Sequence, residues 1–206
     1  MENLDLLCHS SIKINASKTI YIDPFRIKNA AHDADYIFCT HSHYDHFSSE
    51  DIQKIIKNET KIIAVKSSKE EALKLVQEKN LLLVEPGYSY KIDDLEFKTT
   101  YAYNENKPFH PKENNWVGYL INVDSTKYYI AGDTDNIKEI QNIKCDIALI
   151  PVGGKFTMNY EEAANLANKI DAKIVIPTHY GELIGSKEDA INFKELIKNK
   201  KVNILI

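Results

Sequence analysis

Short apolar runs separated by polar breaks predict β-strands in the first third of the chain. Asp23-Pro24 ends the third of these strands, because proline cannot continue a hydrogen-bonded ladder. Isoleucines at helical spacing then predict a helix from Ser48 or Ser49 to about Asn58. The strands predicted in this part are Leu4–Leu7, Ser11–Asn15, Thr19–Ile22 and Ala34–Thr40.

The rest of the chain alternates between strand and helix patterns. Strands are predicted at Lys61–Val65, Leu81–Val84, Leu95–Thr100, Val117–Val123, Lys127–Ala131, Ile147–Val152, Lys173–Ile176 and Val202–Ile206. Capping residues predict helices from Ser67 to Lys79, from Asn159 to about Ile170, and from Ser186 onward. Strands followed by β/α units occur twice, which predicts an α/β fold: a four-layer α/β/β/α sandwich forming a single domain, residues 1–206.

Composition narrows the class of protein. The 206 residues are 43% hydrophobic and carry a formal net charge of −4, so the chain can bury a large core and shows no basic nucleic-acid groove. No stretch reaches membrane-spanning length, and no apolar signal core follows Met1. Three scattered cysteines, an odd number, indicate reduced thiols. We therefore expect a cytoplasmic protein that binds neither nucleic acid nor membrane; its oligomeric state is left open.

Candidate chemistry is concentrated in the histidine loop, Thr40–His46, which directly follows a predicted buried strand. It reads Thr-His-Ser-His-Tyr-Asp-His. Imidazole and carboxylate are preferred ligands of divalent transition metals, and chance would produce this spacing in roughly one of two thousand such chains. On an extended loop His41 and His43 point to one side, while Asp45 and His46 diverge. The loop can therefore offer ligands to two neighbouring ions.

Three further residues are candidates to complete such a site. His179 and Asp133 follow predicted strands, the position where ligand sites collect in α/β folds. His110 lies in the long loop, Tyr101–Asn115, and structureless loops of that length are usually functional. Asp23 is expected to orient the histidine loop through hydrogen bonds. His9 is equally consistent with lining the cleft and with a structural role.

These motifs together resemble the metallo-β-lactamase-fold hydrolases over nearly the whole chain. The resemblance rests on Asp23, His-x-His-x-Asp-His at 41–46, Gly-Asp-Thr at 132–134 and the late His179. Within that superfamily the motifs are similar to the small single-domain branch that includes the ascorbate-6-phosphate lactonase group. The resemblance implies one metal held by His41, His43 and His110. It implies a second held by Asp45, His46 and His179, with Asp133 bridging both.

A site of that kind implies a metal-dependent hydrolase. The resemblance implies two divalent ions, zinc first and manganese or iron as alternatives, that generate a metal-bound hydroxide. The hydroxide would attack an ester, lactone or phosphodiester of a small-molecule substrate, with Asp45 in the catalytic centre. Tyr180 or a second water would protonate the leaving group.

Two other functions remain open at this point. A diiron oxidoreductase of the same fold would have Glu in place of His43 and normally a flavodoxin-like domain, and neither sign is present. A metal-binding protein without catalytic activity would not need to keep all seven candidate ligands. Hydrolysis is therefore the favoured hypothesis.

Overall fold

The computed structural model describes residues 3–205, and the chain divides into two compact units, Met1–Glu85 and Pro86–Ile206. Each unit contains one mixed β-sheet and two α-helices. Each sheet has an antiparallel part and a parallel part. The two halves therefore share an architecture, as the order of predicted elements indicated.

The first unit has a six-stranded sheet whose strands follow the chain in order. Strands β1 to β3 are antiparallel, and β3 to β6 are parallel. Helices α1 and α2 pack on the sheet through a buried cluster that includes Ile37, Ile52, Ile55 and Ala72. The elements are β1 (Leu4–Cys8), β2 (Ser11–Asn15), β3 (Thr19–Ile22), β4 (Tyr36–Phe38), α1 (Ser49–Ile55), β5 (Lys61–Val65), α2 (Lys69–Leu73) and β6 (Leu81–Val84).

The second unit has a seven-stranded sheet in the order β13-β12-β11-β10-β9-β8-β7. Strands β7 to β10 are antiparallel, and β10 to β13 are parallel. Its core includes Ile150, Leu166, Val175 and Phe193. The elements are β7 (Ser89–Ile92), β8 (Leu95–Tyr101), β9 (Val117–Val123), β10 (Thr126–Ile130), β11 (Ile147–Pro151), α3 (Tyr160–Lys169), β12 (Ile174–Thr178), α4 (Lys187–Leu196) and β13 (Lys201–Val202).

Most predicted elements are confirmed, several of them to the residue. The capping boxes of Asn159 with Glu162 and of Ser186 with Asp189 are both formed, and they begin α3 and α4. The strand predicted at Ala34–Thr40 is shorter, since only Tyr36–Phe38 pair with their neighbours. None of the three cysteines, all within residues 3–205, forms a disulfide, and burial raises the pKa of Cys145 to about 12.

The helix predicted from Ser67 to Lys79 is wrong in length. The α-helix covers only Lys69–Leu73, and Ser68 makes no side-chain cap hydrogen bond. Ala72 is the only fully buried residue of this helix. A helix gains most of its stability from packing, so a segment with so little buried surface does not extend.

The last third contains two further corrections. The strand predicted at Lys173–Ile176 is Ile174–Thr178 and continues through Pro177. This is possible because β13 pairs only with Ile174 and Val175 and leaves no strand opposite the missing proline N–H. The closing strand predicted at Val202–Ile206 is Lys201–Val202, and Ile206 lies outside the described residues. No helix within residues 3–205 combines the length and hydropathy needed to cross a membrane.

Candidate metal centre

In the first unit, Asp23 fastens the histidine loop to the end of the neighbouring strand. Its carboxylate accepts hydrogen bonds from the Thr40 backbone N–H at 2.7 Å and from the Thr40 hydroxyl at 2.8 Å. It also lies 2.7 Å from Nδ1 of His46. Burial raises the pKa of Asp23, and the contacts with His46 and Thr40 oppose that rise only in part. The orienting role expected for Asp23 is confirmed by these bonds.

His41 and His43 direct ring nitrogens towards one point. The Thr40 hydroxyl gives its proton to Asp23, so it accepts from Nδ1 of His41 at 3.0 Å and leaves a lone pair on Nε2. Nε2 of His41 lies 3.0 Å from Nδ1 of His43. Two nitrogens on one tetrahedral zinc ion lie roughly 3.3 Å apart, given Zn–N bonds of about 2.0–2.1 Å. The spacing therefore suits two donors to a common ion.

His46 and Asp45 form a second pair of donors in the same unit. Because Nδ1 of His46 donates to Asp23, Nε2 carries the lone pair. That Nε2 lies 3.5 Å from Oδ2 of Asp45. Both atoms are hydrogen-bond acceptors, so a cation between them would satisfy both.

In the second unit, one carboxylate oxygen lies between two imidazoles. Oδ2 of Asp133 is 3.2 Å from Nε2 of His110 and 3.1 Å from Nε2 of His179. All three side chains are buried. Asp133 comes just after β10 and His179 just after β12, while His110 is supplied by the long loop. His110 is therefore a buried residue, although it belongs to a loop.

Asn104 fixes the orientation of His110. Its Oδ1 lies 3.0 Å from Nδ1 of His110 and accepts from the His110 backbone N–H at 3.1 Å. An amide oxygen can only accept, so Nδ1 carries the proton and Nε2 is left as the ligand atom. The amide group of Asn104 donates to Asp135 and to the backbone oxygen of Phe156, both at 3.1 Å. Asn104 thereby connects His110 in the long loop to Asp135 and Phe156 outside it.

The remaining candidate, Tyr180, has a different environment. It is fully buried and belongs to the hydrophobic core of the second unit, together with Ala190 and Phe193. Next to it in the fold, Gly153 lies against the backbone oxygen of His179, where any side chain would collide. A side chain at position 153 would therefore displace the backbone of His179, while Tyr180 packs in the hydrophobic core.

The donors of each unit suit a divalent metal. The first unit supplies His41, His43, Asp45 and His46, and the second supplies His110, Asp133 and His179; all belong to His and Asp groups that could hold an ion. Imidazole nitrogens with carboxylate oxygens suit zinc, and they also accept manganese or iron. In His41, His46 and His110 a hydrogen bond keeps the proton on Nδ1, so that Nε2 carries the lone pair. Such outer hydrogen bonds are typical of metal-binding histidines.

Sequence reasoning gave too little weight to three residues near these donors. Sequence reasoning does not single out Asn104, whose signal is its place six residues before His110 in an otherwise irregular loop. Asp135 is the second aspartate of Ala131-Gly132-Asp133-Thr134-Asp135, and only the first, Asp133, is a candidate ligand by sequence. His9, left between two roles, lies 3.5 Å from Asp45.

Known proteins are similar to this chain in sequence and in fold. The profile of the family described as "Beta-lactamase superfamily domain" matches residues 3–179. A UPF0173 metal-dependent hydrolase of Pyrococcus furiosus is 31% identical, with 100% of this chain and 96% of the relative covered. One of Thermococcus onnurineus is 30% identical with the same coverage. The structure of Igni18, a metallo hydrolase of Ignicoccus hospitalis, matches with a TM-score of 0.80, 24% identity and coverage of 98% and 93%.

The profile extends across both units, and the relatives match from end to end. The expected metallo-β-lactamase fold is thereby confirmed. The chain belongs to the beta-lactamase superfamily and, within it, to the UPF0173 metal-dependent hydrolases.

Proposed function

We propose that the chain hydrolyses an ester, lactone or phosphodiester of a small molecule at a dinuclear zinc centre. One ion would be held by His41, His43 and His110, and the other by Asp45, His46 and His179, with Asp133 shared. Both units then form one catalytic domain, residues 1–206. The ligand set follows the family resemblance.

The observation that carries this proposal is the position of Asp133. Its Oδ2 is within 3.2 Å of the Nε2 atoms of His110 and His179, which are assigned to different ions. A carboxylate in that position can bridge two cations. Neither unit alone supplies three ligands for each of two ions, the number that a catalytic zinc site normally has. That deficit supports a centre to which both units contribute.

The mechanism follows from how the protein holds these groups. When bound, the ions would lower the pKa of a water molecule towards neutrality and polarise the oxygen of the substrate. Asp23, Thr40 and Asn104 keep His41, His46 and His110 in the tautomers that present a lone pair on Nε2. Five of the seven donors are buried, which strengthens their electrostatic interactions, whereas His43 and Asp45 are half-buried. The proton for the leaving group comes from water in this proposal, because Tyr180 is packed in the core.

The test is hydrolysis by protein stripped of metal and reloaded with zinc, manganese or iron. Bis-p-nitrophenyl phosphate, p-nitrophenyl acetate and a lactone panel would serve as substrates. We expect hydrolysis that depends on the added metal. The double variant His41→Ala with Asp45→Ala should lose more than the roughly 10–100-fold that is typical when a hydrogen-bond partner of a metal ligand is removed. His32→Ala, at an exposed position, is the matched control.

Unchanged metal content and unchanged hydrolysis in the double variant would refute the proposal. Activity appearing only with iron and consuming oxygen would instead support the diiron oxidoreductase. Bound metal with no hydrolysis of any substrate would favour a metal-binding protein without catalytic activity.

A further inference from the structure

His9 is a buried histidine that the proposed ligand set does not use. It lies in the two-residue connection between β1 and β2, where Cys8 pairs with Ser11. The strand pairing shifts register between Leu6 and Cys8, just before it. His9 itself is fully buried and has a φ of 54°. Glycine adopts that left-handed conformation without a steric penalty, whereas a fully buried histidine in it is uncommon.

The other buried residues that share the left-handed backbone of His9 belong to the candidate metal centre. Within residues 3–205, ten non-glycine residues have positive φ, and seven of them are exposed. The three buried ones are His9, Asp23 and His179. Asp23 orients the histidine loop, and His179 is a proposed ligand. Backbone strain retained at buried positions concentrates at functional sites, and His9 shares this feature with two residues of the centre.

The imidazole of His9 faces Asp45. Its Nε2 lies 3.5 Å from Oδ2 of Asp45, the same oxygen that lies 3.5 Å from Nε2 of His46. Nε2 of His46 has a lone pair and cannot donate to this oxygen, whereas His9 can donate from Nε2. A carboxylate oxygen has two lone pairs, so one can face the ion beside His46 while the other accepts from His9.

Aromatic packing keeps the His9 ring in this direction. The ring meets Phe25 edge to face, with centroids 6.5 Å apart and planes at 64°. Phe25 in turn packs against Tyr44 with centroids 5.8 Å apart, and its backbone N–H donates to the hydroxyl of Ser11. Tyr44 is the residue before Asp45. Phe25 therefore links His9 to Tyr44, the neighbour of Asp45.

We propose that His9 is a positioning residue for Asp45: its Nε2–H holds the carboxylate in the orientation that coordinates metal. This inference rests on the proposed function, since it presumes that Asp45 is a ligand. Hydrogen-bond donors to metal ligands typically change metal affinity by about 10–100-fold when they are removed. His9 would therefore act on the ion held by Asp45 and leave the other ion unaffected.

The test is metal titration of His9→Gly, His9→Gln and His32→Gly by calorimetry, with metal counted by elemental analysis. Glycine suits the left-handed backbone, so His9→Gly removes the imidazole without adding strain; thermal unfolding of the metal-free variants checks this. His32, with a φ of 47° and an exposed side chain, is the matched control. We expect His9→Gly to lose about 10–100-fold in affinity for one of two ions, His9→Gln to recover most of it, and His32→Gly to match wild type.

Wild-type affinity for both ions in His9→Gly would overturn the role of His9. An equal loss in His9→Gln and His9→Gly would also overturn it, because an amide donor should substitute for the imidazole. Failure of the wild-type protein to bind metal would instead overturn the proposed function, so the two failures are distinguishable.

Discussion

Asn104 is the residue on which the orientation of His110 depends most directly. It is buried, and both the backbone N–H and Nδ1 of His110 are within 3.1 Å of its Oδ1. The backbone N–H of Asn104 donates to the backbone oxygen of His110 at 2.7 Å. Removing the amide would let the imidazole turn or take the other tautomer. Either change withdraws Nε2 from the direction of Asp133.

We predict that Asn104→Leu lowers metal affinity by about 10–100-fold, as is typical when the partner of a metal-binding histidine is lost. Asn122→Leu, at an exposed position of β9, is the control for the same change of side chain. Equilibrium dialysis against a zinc buffer would measure both. Equal affinities in the two variants would contradict the orienting role.

For Tyr180, unlike Asn104, we predict that substitution has little effect. Its side chain is fully buried among core residues, so its hydroxyl is not assigned to the leaving group. We expect Tyr180→Phe to keep kcat within about threefold of wild type, well below the 10²–10⁴-fold typical for a general acid. Steady-state kinetics on the substrate hydrolysed best would measure this. A loss of 100-fold or more at unchanged folding would restore Tyr180 as the proton donor.

The residues that sequence reasoning found were those whose chemistry is evident from type and spacing. His41, His43, Asp45 and His46 stand together, and Asp133 and His179 each follow a strand. Asn104 could not be found in that way, because amides are common in loops and only the folded loop brings this one to His110. The role of His9 required knowledge of its backbone conformation, which no spacing rule supplies.

At the scale of elements, Asp51 anchors the first turn of α1 to the segment after β3. Its carboxylate accepts from the backbone N–H groups of Arg26 and Ile27, at 2.7 Å and 2.9 Å, and from Lys54 at 2.8 Å. Burial raises the pKa of Asp51, but its hydrogen bonds with Lys54, Ser48, Arg26 and Ile27 outweigh this effect and hold the pKa below its usual value.

We predict that Asp51→Asn lowers the free energy of unfolding at pH 7 by roughly 1–3 kcal/mol, because it weakens hydrogen bonds to a charged group. A depressed carboxyl pKa stabilises the fold above the unfolded-state value near 4 and loses that effect as pH falls through the folded-state value. The difference from wild type should therefore shrink below about pH 4. Urea unfolding at pH 7 and below about pH 4 tests this, with Asp5→Asn at an exposed position as the control. A difference in unfolding free energy that does not depend on pH would contradict the prediction.

The predicted elements succeeded where pattern and packing agree, as in β2, β3, β5, β6 and β9. Strand β7 was missed, although Ser89–Ile92 alternates polar and apolar residues before the Asp93-Asp94 turn. The Ser67–Lys79 helix was predicted too long, because a capping signal does not show how little of the segment is buried. The strand predicted at Lys173–Ile176 stops before Pro177, since the short extent of β13 cannot be known from local sequence.

At the scale of the whole molecule, strand direction explains why the candidate ligands cluster within each unit. Strands β3 and β4 are parallel, so Asp23 and the histidine loop leave the same edge of the first sheet. Strands β10, β11 and β12 are parallel, so Asp133 and His179 leave the same edge of the second. Ligand sites lie at the carboxyl ends of parallel strands. Only His110 needs a long loop to join them.

The measurement that tests the central claim most directly is a crystal structure of the metal-loaded protein, with anomalous diffraction collected on both sides of the zinc absorption edge. We predict two zinc peaks, with ligand atoms about 2.0–2.2 Å away. His41, His43 and His110 should bind one ion, Asp45, His46 and His179 the other, and Asp133 both. A single peak, or ions whose ligands all come from one unit, would contradict the account.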